Sequence, residues 1–418
     1  MSETLARPKQ RLRGNALVVF ATAVLTAGLT GPGQTIGVAV FIDHFVDDLG
    51  LSRPEVSTAY LIGTLTGSLL LPSVGRFIDR YGVRRSQLIV GVLFAGALVN
   101  MSTVQGFVTI SIGFIGIRFL GQGSLSLVST VTVQQRFDTN RGTMLGLFST
   151  FTAGLLALAP IALAFAISLV GWRSAWLIAA LAIAATVTPL AFLGLRSMPT
   201  TAIKADVSDT SLPALGYTRN QAIRTRGFWI LVAISATAGM LSTALNFHQI
   251  DLLTDAGLTT TAAASMFLPQ VIGSTIAGFG FGVLLDRLGS RLLPAISVSL
   301  LVVAHVLAAI AAPGLTVVLY AITLGAAGGA IRTVATALLP EWFGLSHIGS
   351  IQGTLTFLNI AASATGPVVL ALLQEQVGSY PPAVLILAVI PLAAAVFALA
   401  PPGVRPLAED RAHLSQPV

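Results

Sequence analysis

The chain has 418 residues, of which 54% are hydrophobic and only 9% charged, with 23 Lys plus Arg against 16 Asp plus Glu and a formal net charge of +7. Soluble domains carry about 25% charged residues, so this composition excludes an ordinary soluble core and calls for apolar helices of about 20 residues, the length that crosses hydrocarbon. The absence of cysteine excludes disulfides, thiolate metal sites and thiol nucleophiles. Basic residues scattered through loops, with no stripe of them, argue against nucleic acid as a partner.

Arg7, Lys9, Arg11 and Arg13 precede a first apolar run over 15–41, too long and too rich in Gly and Thr for a cleaved leader. Further runs follow at 54–74, 87–105, 108–134, 143–169 and 174–195. Beyond the polar stretch from Arg196 to Arg226 come runs at 227–250, 259–281, 292–311, 315–339, 350–373 and 382–400. The expected fold is an all-α membrane protein with twelve transmembrane helices in two pseudo-symmetric six-helix bundles. The first bundle covers 1–195, a cytoplasmic linker 196–226, the second bundle 227–400 and a cytoplasmic tail 401–418. With both termini inside, 19 of the 23 Lys and Arg fall on the cytoplasmic side, as the positive-inside rule requires. We expect a bacterial-type cytoplasmic membrane, and in it a monomer.

The two halves match at an offset of 207 residues. Asp48 pairs with Asp255, Gly50 with Gly257, Gly75 with Gly282, Asp79 with Asp286, Arg80 with Arg287, Gly82 with Gly289, Arg84 with Arg291, Gly142 with Gly349, Gly146 with Gly353 and Pro160 with Pro367. Charged residues are rare in this chain, so coincidence at one offset is a poor explanation, and an internal repeat follows.

The loop after the second run reads GRFIDRYGVRR (Gly75 to Arg85), and its repeat reads GVLLDRLGSR (Gly282 to Arg291). Both resemble the signature loop of the major facilitator superfamily, and RFLGQG (Arg118 to Gly123) resembles that family's helix-4 motif. The resemblance covers nearly the whole chain and implies a transporter working by alternating access. Several phrases resemble the branch of monocarboxylate and oxalate/formate carriers: GPGQTIGVAVF, QQRFDTNRGTMLG, FHQIDLLTDAGLT and LLPEWFGLSHIGSIQG. The chain departs from the mammalian-type monocarboxylate pattern in lacking an Asp/Arg pair in the eighth helix.

A physical role for the loops can be given from their residues. Half-bundles that rock need reversible charge contacts on one face. Asp79 is expected at the N-terminus of the eleventh helix near Ser350, and Asp286 near Thr143 of the fifth, where free N–H groups and the helix dipole favour an anion. Arg80, Arg84 and Arg85 are expected to pair with Asp138, Arg287 and Arg291 repeat the motif, and Gly75, Gly82, Gly282 and Gly289 allow the turns. The competing reading is that these arginines only fix topology.

Two arginines fall inside apolar runs, Arg118 and Arg332, while all sixteen acidic residues lie in loops or at helix ends. A mid-membrane charge costs about 2.5–3.5 kcal/mol on insertion scales, which makes each a candidate functional group. By the repeat, Arg332 maps to position 125, two helical turns beyond Arg118, so the pair is expected to line one route. The competing reading for Arg118 is a bond to carbonyls of a neighbouring helix. Thr30 and Gln34 on the first helix, Gln122 on the fourth, and Ser242 and Asn246 on the seventh are the remaining candidate contacts. Each could instead be interhelical glue. His248 is read as a possible gate or as an interfacial residue without a role.

A positive cavity with no carboxylate to neutralise it favours an anion, and guanidinium suits carboxylate because its planar fork makes two parallel bonds. The expected substrate is therefore a small organic anion, a monocarboxylate or short dicarboxylate, moved with a proton or in exchange. The alternatives are efflux of drugs or other amphiphiles, and a non-transporting sensor. With no His pair, Cys or intramembrane carboxylate, no enzyme, metal site or cofactor is expected.

Overall fold

A chain this apolar satisfies its backbone groups away from water only through helices or a closed barrel. The computed structural model takes the helical solution and describes residues 16–137, 141–198, 216–288, 291–344 and 348–404. Among these residues no strand ladder forms, and an isolated bridge joins Gly216 to Gly344.

The first apolar run is broken. α1 (Ala16–Gly28) gives way to a 3-10 turn at Gly31–Gly33, then α2 (Thr35–Val38), a second 3-10 turn (Ala39–Phe41) and α3 (Ile42–Leu49). The second and third runs join in α4 (Arg53–Ser102), interrupted only at Gly82, whose φ of 75° and ψ of 162° suit a residue without Cβ. α5 (Phe107–Ile117) passes through a π-helical stretch, Arg118–Leu125, into α6 (Ser126–Arg136). α7 (Arg141–Val170) and α8 (Trp172–Gly194) complete this half.

After the short α9 (Arg219–Ala222) come α10 (Arg226–Phe247), α11 (Gln249–Asp255), α12 (Thr260–Ser265) and α13 (Phe267–Leu288). α14 (Leu293–Ala309), α15 (Leu315–Phe343), α16 (Ile348–Val377), α17 (Tyr380–Leu387) and α18 (Val389–Ala398) follow. Among the described residues ten stretches are long and apolar enough to cross a membrane, and α14 is a shorter apolar helix. Leu181, Leu193 and Phe279 are exposed; such apolar surface is a liability in water but the natural boundary with lipid.

The internal repeat is visible in backbone detail. Both ends of α16 lie 207 residues beyond those of α7. Gly50 and Gly257 share positive φ (63° and 97°), as do Gly171 and Gly378 (77° and 78°). Ser52 and Thr259 are equivalent N-caps, accepting from the backbone N–H of Glu55 and Ala262. The aromatic side chains of Phe41 and Trp176 stack 4.0 Å apart, and the Trp172 indole donates to Asp48 at 2.5 Å, which docks the end of the broken first span on α8.

α13 and α15 approach through glycine. A Cβ on Gly325 would collide with the Gln270 carbonyl, and one on Gly329 with the Ser274 carbonyl. Gly329→Leu should therefore force the helices apart and cost roughly 3 kcal/mol or more, the upper range for overpacking. The loss would be read as a lower melting temperature in detergent. An unchanged melting temperature would show that the contact is not tight.

Candidate functional site

Small polar residues at helical spacing build the site. On α10, Ser235, Gly239, Ser242 and Asn246 recur every three or four residues and so share one face. On α15, Gly328, Arg332 and Thr336 do the same at intervals of four. These faces border two adjoining cavities of about 280 and 630 Å³, which share Ser242, Gly328 and Arg332. The smaller is closed by Gln352, Thr356 and Asn359 of α16. The larger reaches across to Gly146, Ser149 and Thr150 of α7 and is backed by Gln270, Ser274 and Thr275 of α13. On α7, α15 and α16 the lining reaches into the halves nearest the linker, the end where Gly216 pairs with Gly344, while on α10 the larger cavity is lined by Ser242 and Asn246 of the half farthest from it.

Arg332 is exposed in these cavities and has no hydrogen bond or ion pair with any described residue. A Cβ placed on Gly328, one turn away, would meet nothing within 4 Å, so the guanidinium borders open space. Ser242 Oγ and Asn246 Oδ1, in the same walls, are buried atoms without a partner among the described residues. The cavity walls contain no Asp or Glu. The arrangement offers five N–H donors on one fixed charge within a neutral, hydrogen-bonding lining.

Arg118 sits elsewhere. It is 4% exposed, its Nε donates to Thr64 Oγ1 at 3.0 Å and its NH1 to the Gly33 carbonyl at 3.2 Å, and its guanidinium lies 4.6 Å from the Tyr60 ring centroid. The 3-10 break at Gly31–Gly33 gives that carbonyl an angle a regular helix would deny it. Arg118 lines neither cavity, so the two arginines do not share a route as expected from their spacing. The reason is local: the π-helical stretch begins at Arg118, and its wider turns spoil the two-turn register with position 125. Arg118→Met should leave the Gly33 carbonyl without its donor and cost about 1–3 kcal/mol. A thermal unfolding scan checks this, and an unshifted midpoint would remove the clasp role.

Of the other expected contacts, Thr30 donates to the Ala27 carbonyl at 2.6 Å and accepts from Gln34 Nε2 at 2.9 Å. Thr30, Gln34 and the half-buried Gln122 line neither cavity, whereas Ser242 and Asn246 do. Sequence reasoning missed Ser149, Gln352, Thr356 and Asn359. Two signals for them were present: Gln352, Thr356 and Asn359 are spaced four and three apart within an apolar span, and Ser149 and Thr356 are repeat equivalents.

In the loop motifs, Gly82 makes the expected turn. The Arg80 guanidinium lies over the Tyr81 ring at 5.3 Å and that of Arg84 over Phe192 at 5.5 Å. Gly75 and Gly282 are half-buried, and Arg287 and Arg291 are exposed. Asp138 and Gly289, and the side chains of Asp79 and Asp286, lie outside the described residues. Among the described residues no cluster of His, Asp and Glu could hold a metal.

At the end away from the linker, charge ties the halves together. Arg53 NH2 donates to Asp43 Oδ1 at 2.9 Å and to Asp251 Oδ1 at 2.6 Å, and the Tyr380 hydroxyl donates to Asp251 Oδ2 at 2.5 Å. Beneath them the Tyr60 and Phe247 rings lie 4.6 Å apart. Burial pushes the Asp251 carboxyl above the ordinary aspartate range, while Arg53 pulls it back down. His248 is buried, with a ring nitrogen 3.0 Å from the Pro367 carbonyl and the other 3.4 Å from the Tyr380 hydroxyl.

Comparison with known proteins supplies the wider frame. The family description "Major Facilitator Superfamily" matches residues 17–322 and 251–416. A protein of Bacillus subtilis (strain 168), "Uncharacterized MFS-type transporter YcxA", is 27% identical over 270 residues, a stretch that spans 60% of each chain. Two solved structures share the fold at 15% identity. A bacterial homologue of the human lysosomal transporter Spinster, inward-facing and unoccupied, has a TM-score of 0.72 and covers 92% of this chain and 96% of its own. The nucleoside transporter NupG has a TM-score of 0.71 and covers 91% of this chain and 98% of its own.

Proposed function

The chain belongs to the Major Facilitator Superfamily, and from that premise we propose that it is a membrane transporter whose substrate is a small organic anion. The observation that carries this reading is Arg332, exposed in a cavity whose walls hold no carboxylate. In so neutral a lining an ionised substrate is the natural counter-charge, and a carboxylate matches the guanidinium fork with two parallel bonds. A cation would meet there the repulsion of a guanidinium that no acid in the walls neutralises.

Alternating access follows on this reading. Two six-helix bundles, twelve spans in all, rock about the cavity, with the linker and both termini in the cytoplasm of a bacterial-type cell. The Arg53–Asp251 contact closes the outer end, and the cavity lies toward the linker, in keeping with an inward-facing state. The Gly75–Arg85 and Gly282–Arg291 loops would then release on the inner side. Uptake coupled to a proton and exchange against a second anion both fit this scheme.

The test is uptake into proteoliposomes of labelled mono- and dicarboxylates, with and without a pH gradient. Accumulation of a carboxylate, lost in Arg332→Ala, is the expected result. Transport of neutral amphiphiles or cations with no carboxylate taken up would replace the anion reading with efflux.

A further inference from the structure

The hydrogen-bond chain at the outer end is one hydrogen short. A carbonyl only accepts, so the His248 nitrogen 3.0 Å from the Pro367 carbonyl, Nε2, carries the hydrogen of the neutral ring. Nδ1 is then an acceptor, and the group it faces is the Tyr380 hydroxyl at 3.4 Å. That hydroxyl has one hydrogen, which it gives to Asp251 Oδ2 at 2.5 Å. His248 is fully buried, and buried polar atoms are nearly always paired, yet Nδ1 has no other donor among the described residues. An imidazolium would supply the missing hydrogen only by burying a second positive charge in the field of Arg53, which is costly.

The charges lead to the same count. Asp43 and Asp251 both accept from the single guanidinium of Arg53, and Asp255 adds negative charge from the helix that carries Asp251. Two carboxylates on one guanidinium leave a net negative charge that one proton cancels. We propose that the outer end takes up one proton as it closes, and that Asp251 Oδ2 holds it. An O–H bond forms at Oδ2 and donates to Tyr380, the Tyr380 hydrogen turns to His248 Nδ1, and His248 keeps its bond to Pro367. Each member then donates to the next, while Oδ1 still accepts from Arg53. The proposal rests on the alternating-access reading for the motion and is independent of what the substrate is.

The direction of the pH effect follows from the two environments of Asp251. In the closed end burial holds its carboxyl above the ordinary aspartate range, even against the pull of Arg53. Water admitted on opening returns it toward about 3.9. The proton therefore binds the closed form more tightly, and acid favours closure. The gain is complete below about pH 4 and is lost as the pH rises through the closed-state value. The charged and titratable groups around Asp251 are Arg53 of α4, Asp43 of α3, Tyr380 of α17, His248 between α10 and α11, and Asp255 on α11 itself. α12 and the 3-10 turn at Ala39–Phe41, which also pack on α11, carry none.

The experiment follows the outer end of the full-length protein from about pH 4 to about pH 8, with spin labels on Asp47→Cys and Thr260→Cys, exposed positions of the two halves. The ratio of closed to open populations should rise as the pH falls, by up to about tenfold per unit for one proton. Asp251→Asn should stay closed at every pH, because its amide both accepts from Arg53 and donates to Tyr380. His248→Phe removes the acceptor for the Tyr380 hydrogen and should shift the response to lower pH, whereas His44→Gln, a change on α3, should leave it in place. An infrared band of a protonated carboxyl, present in the acid form and absent from Asp251→Asn, reads the proton directly. A ratio indifferent to pH in a protein that Arg53→Met still opens would overturn the inference. So would opening in acid, a response that survives Asp251→Asn or is lost in His44→Gln, or one that His248→Phe does not move. One unchanging label distance, at every pH and in Arg53→Met, would instead remove the outer-gate reading and this inference with it.

Discussion

Arg332→Ala should abolish measurable binding of the carboxylate substrate, and Arg332→Lys should weaken it severely. Hydrogen bonds to a charged group contribute about 1.5–3 kcal/mol each, and a bidentate pair makes two. The alanine variant should lose affinity by at least two orders of magnitude, about 1.4 kcal/mol per tenfold. Lysine keeps the charge but not the planar fork, and its shorter reach leaves one bond at best, so a loss of about tenfold to a hundredfold is expected. Because the guanidinium makes no hydrogen bond or ion pair with any described residue, neither change breaks one among them, and the melting temperature of both variants should stay near that of the wild type. Calorimetric titration with the carboxylate identified by the transport screen checks both parts. Unaltered affinity in the two variants would mean that the charge has another purpose.

The second large effect is expected at the opposite end of the molecule. Arg53→Met should open the outer end by removing the one group that joins Asp43 to Asp251 across the halves. Breaking a buried pair by deleting one partner costs about 3–5 kcal/mol, while an exposed pair is worth at most about 1 kcal/mol. The side chains of Arg53 and Asp251 are each 20% exposed, so a value between these, about 1–3 kcal/mol, is appropriate. The closed state should lose population by roughly fivefold to a hundredfold relative to the open one. The chain has no cysteine, so cysteines introduced at the exposed positions Asp47 and Thr260 would carry spin labels without background. Their separation should grow in Arg53→Met, and an identical distance distribution in the two proteins would show that the aromatic layer beneath keeps the end shut unaided.

Much of the scaffold was legible because few residue types can do its work. Charge is so rare that Arg118 and Arg332 stand out in their spans, and the repeat of 207 residues locates equivalent caps and turns such as Ser52 with Thr259. Helical spacing groups Ser235, Gly239, Ser242 and Asn246 on one face of α10, and that face borders the cavities. Three things were hidden. The 3-10 break at Gly31–Gly33 was signalled by Pro32, but the π-helical stretch after Arg118 had no such marker, since Gly121 and Gly123 suit an ordinary packed helix equally well. Of the glycines near Arg332, Gly325 and Gly329 meet the carbonyls of α13 whereas Gly328 faces open space, a division that helical spacing does not show. The Arg53–Asp251 contact joins residues 198 apart that neither repeat nor periodicity relates. Long-range pairings of that kind depend on how two bundles lean, which no local pattern encodes.

On the anion reading, the grip on the substrate's charge comes from one bundle only. Arg332, Ser242 and Asn246 belong to the second half of the chain, and the first half supplies the larger cavity with only neutral side chains from Ile36 and α7. If cargo is anchored by its carboxylate, it rides with the second bundle through the whole transport stroke, while the first slides past as an uncharged shutter. Affinity on the two sides of the membrane would then differ little, because the strongest bond is never exchanged for another.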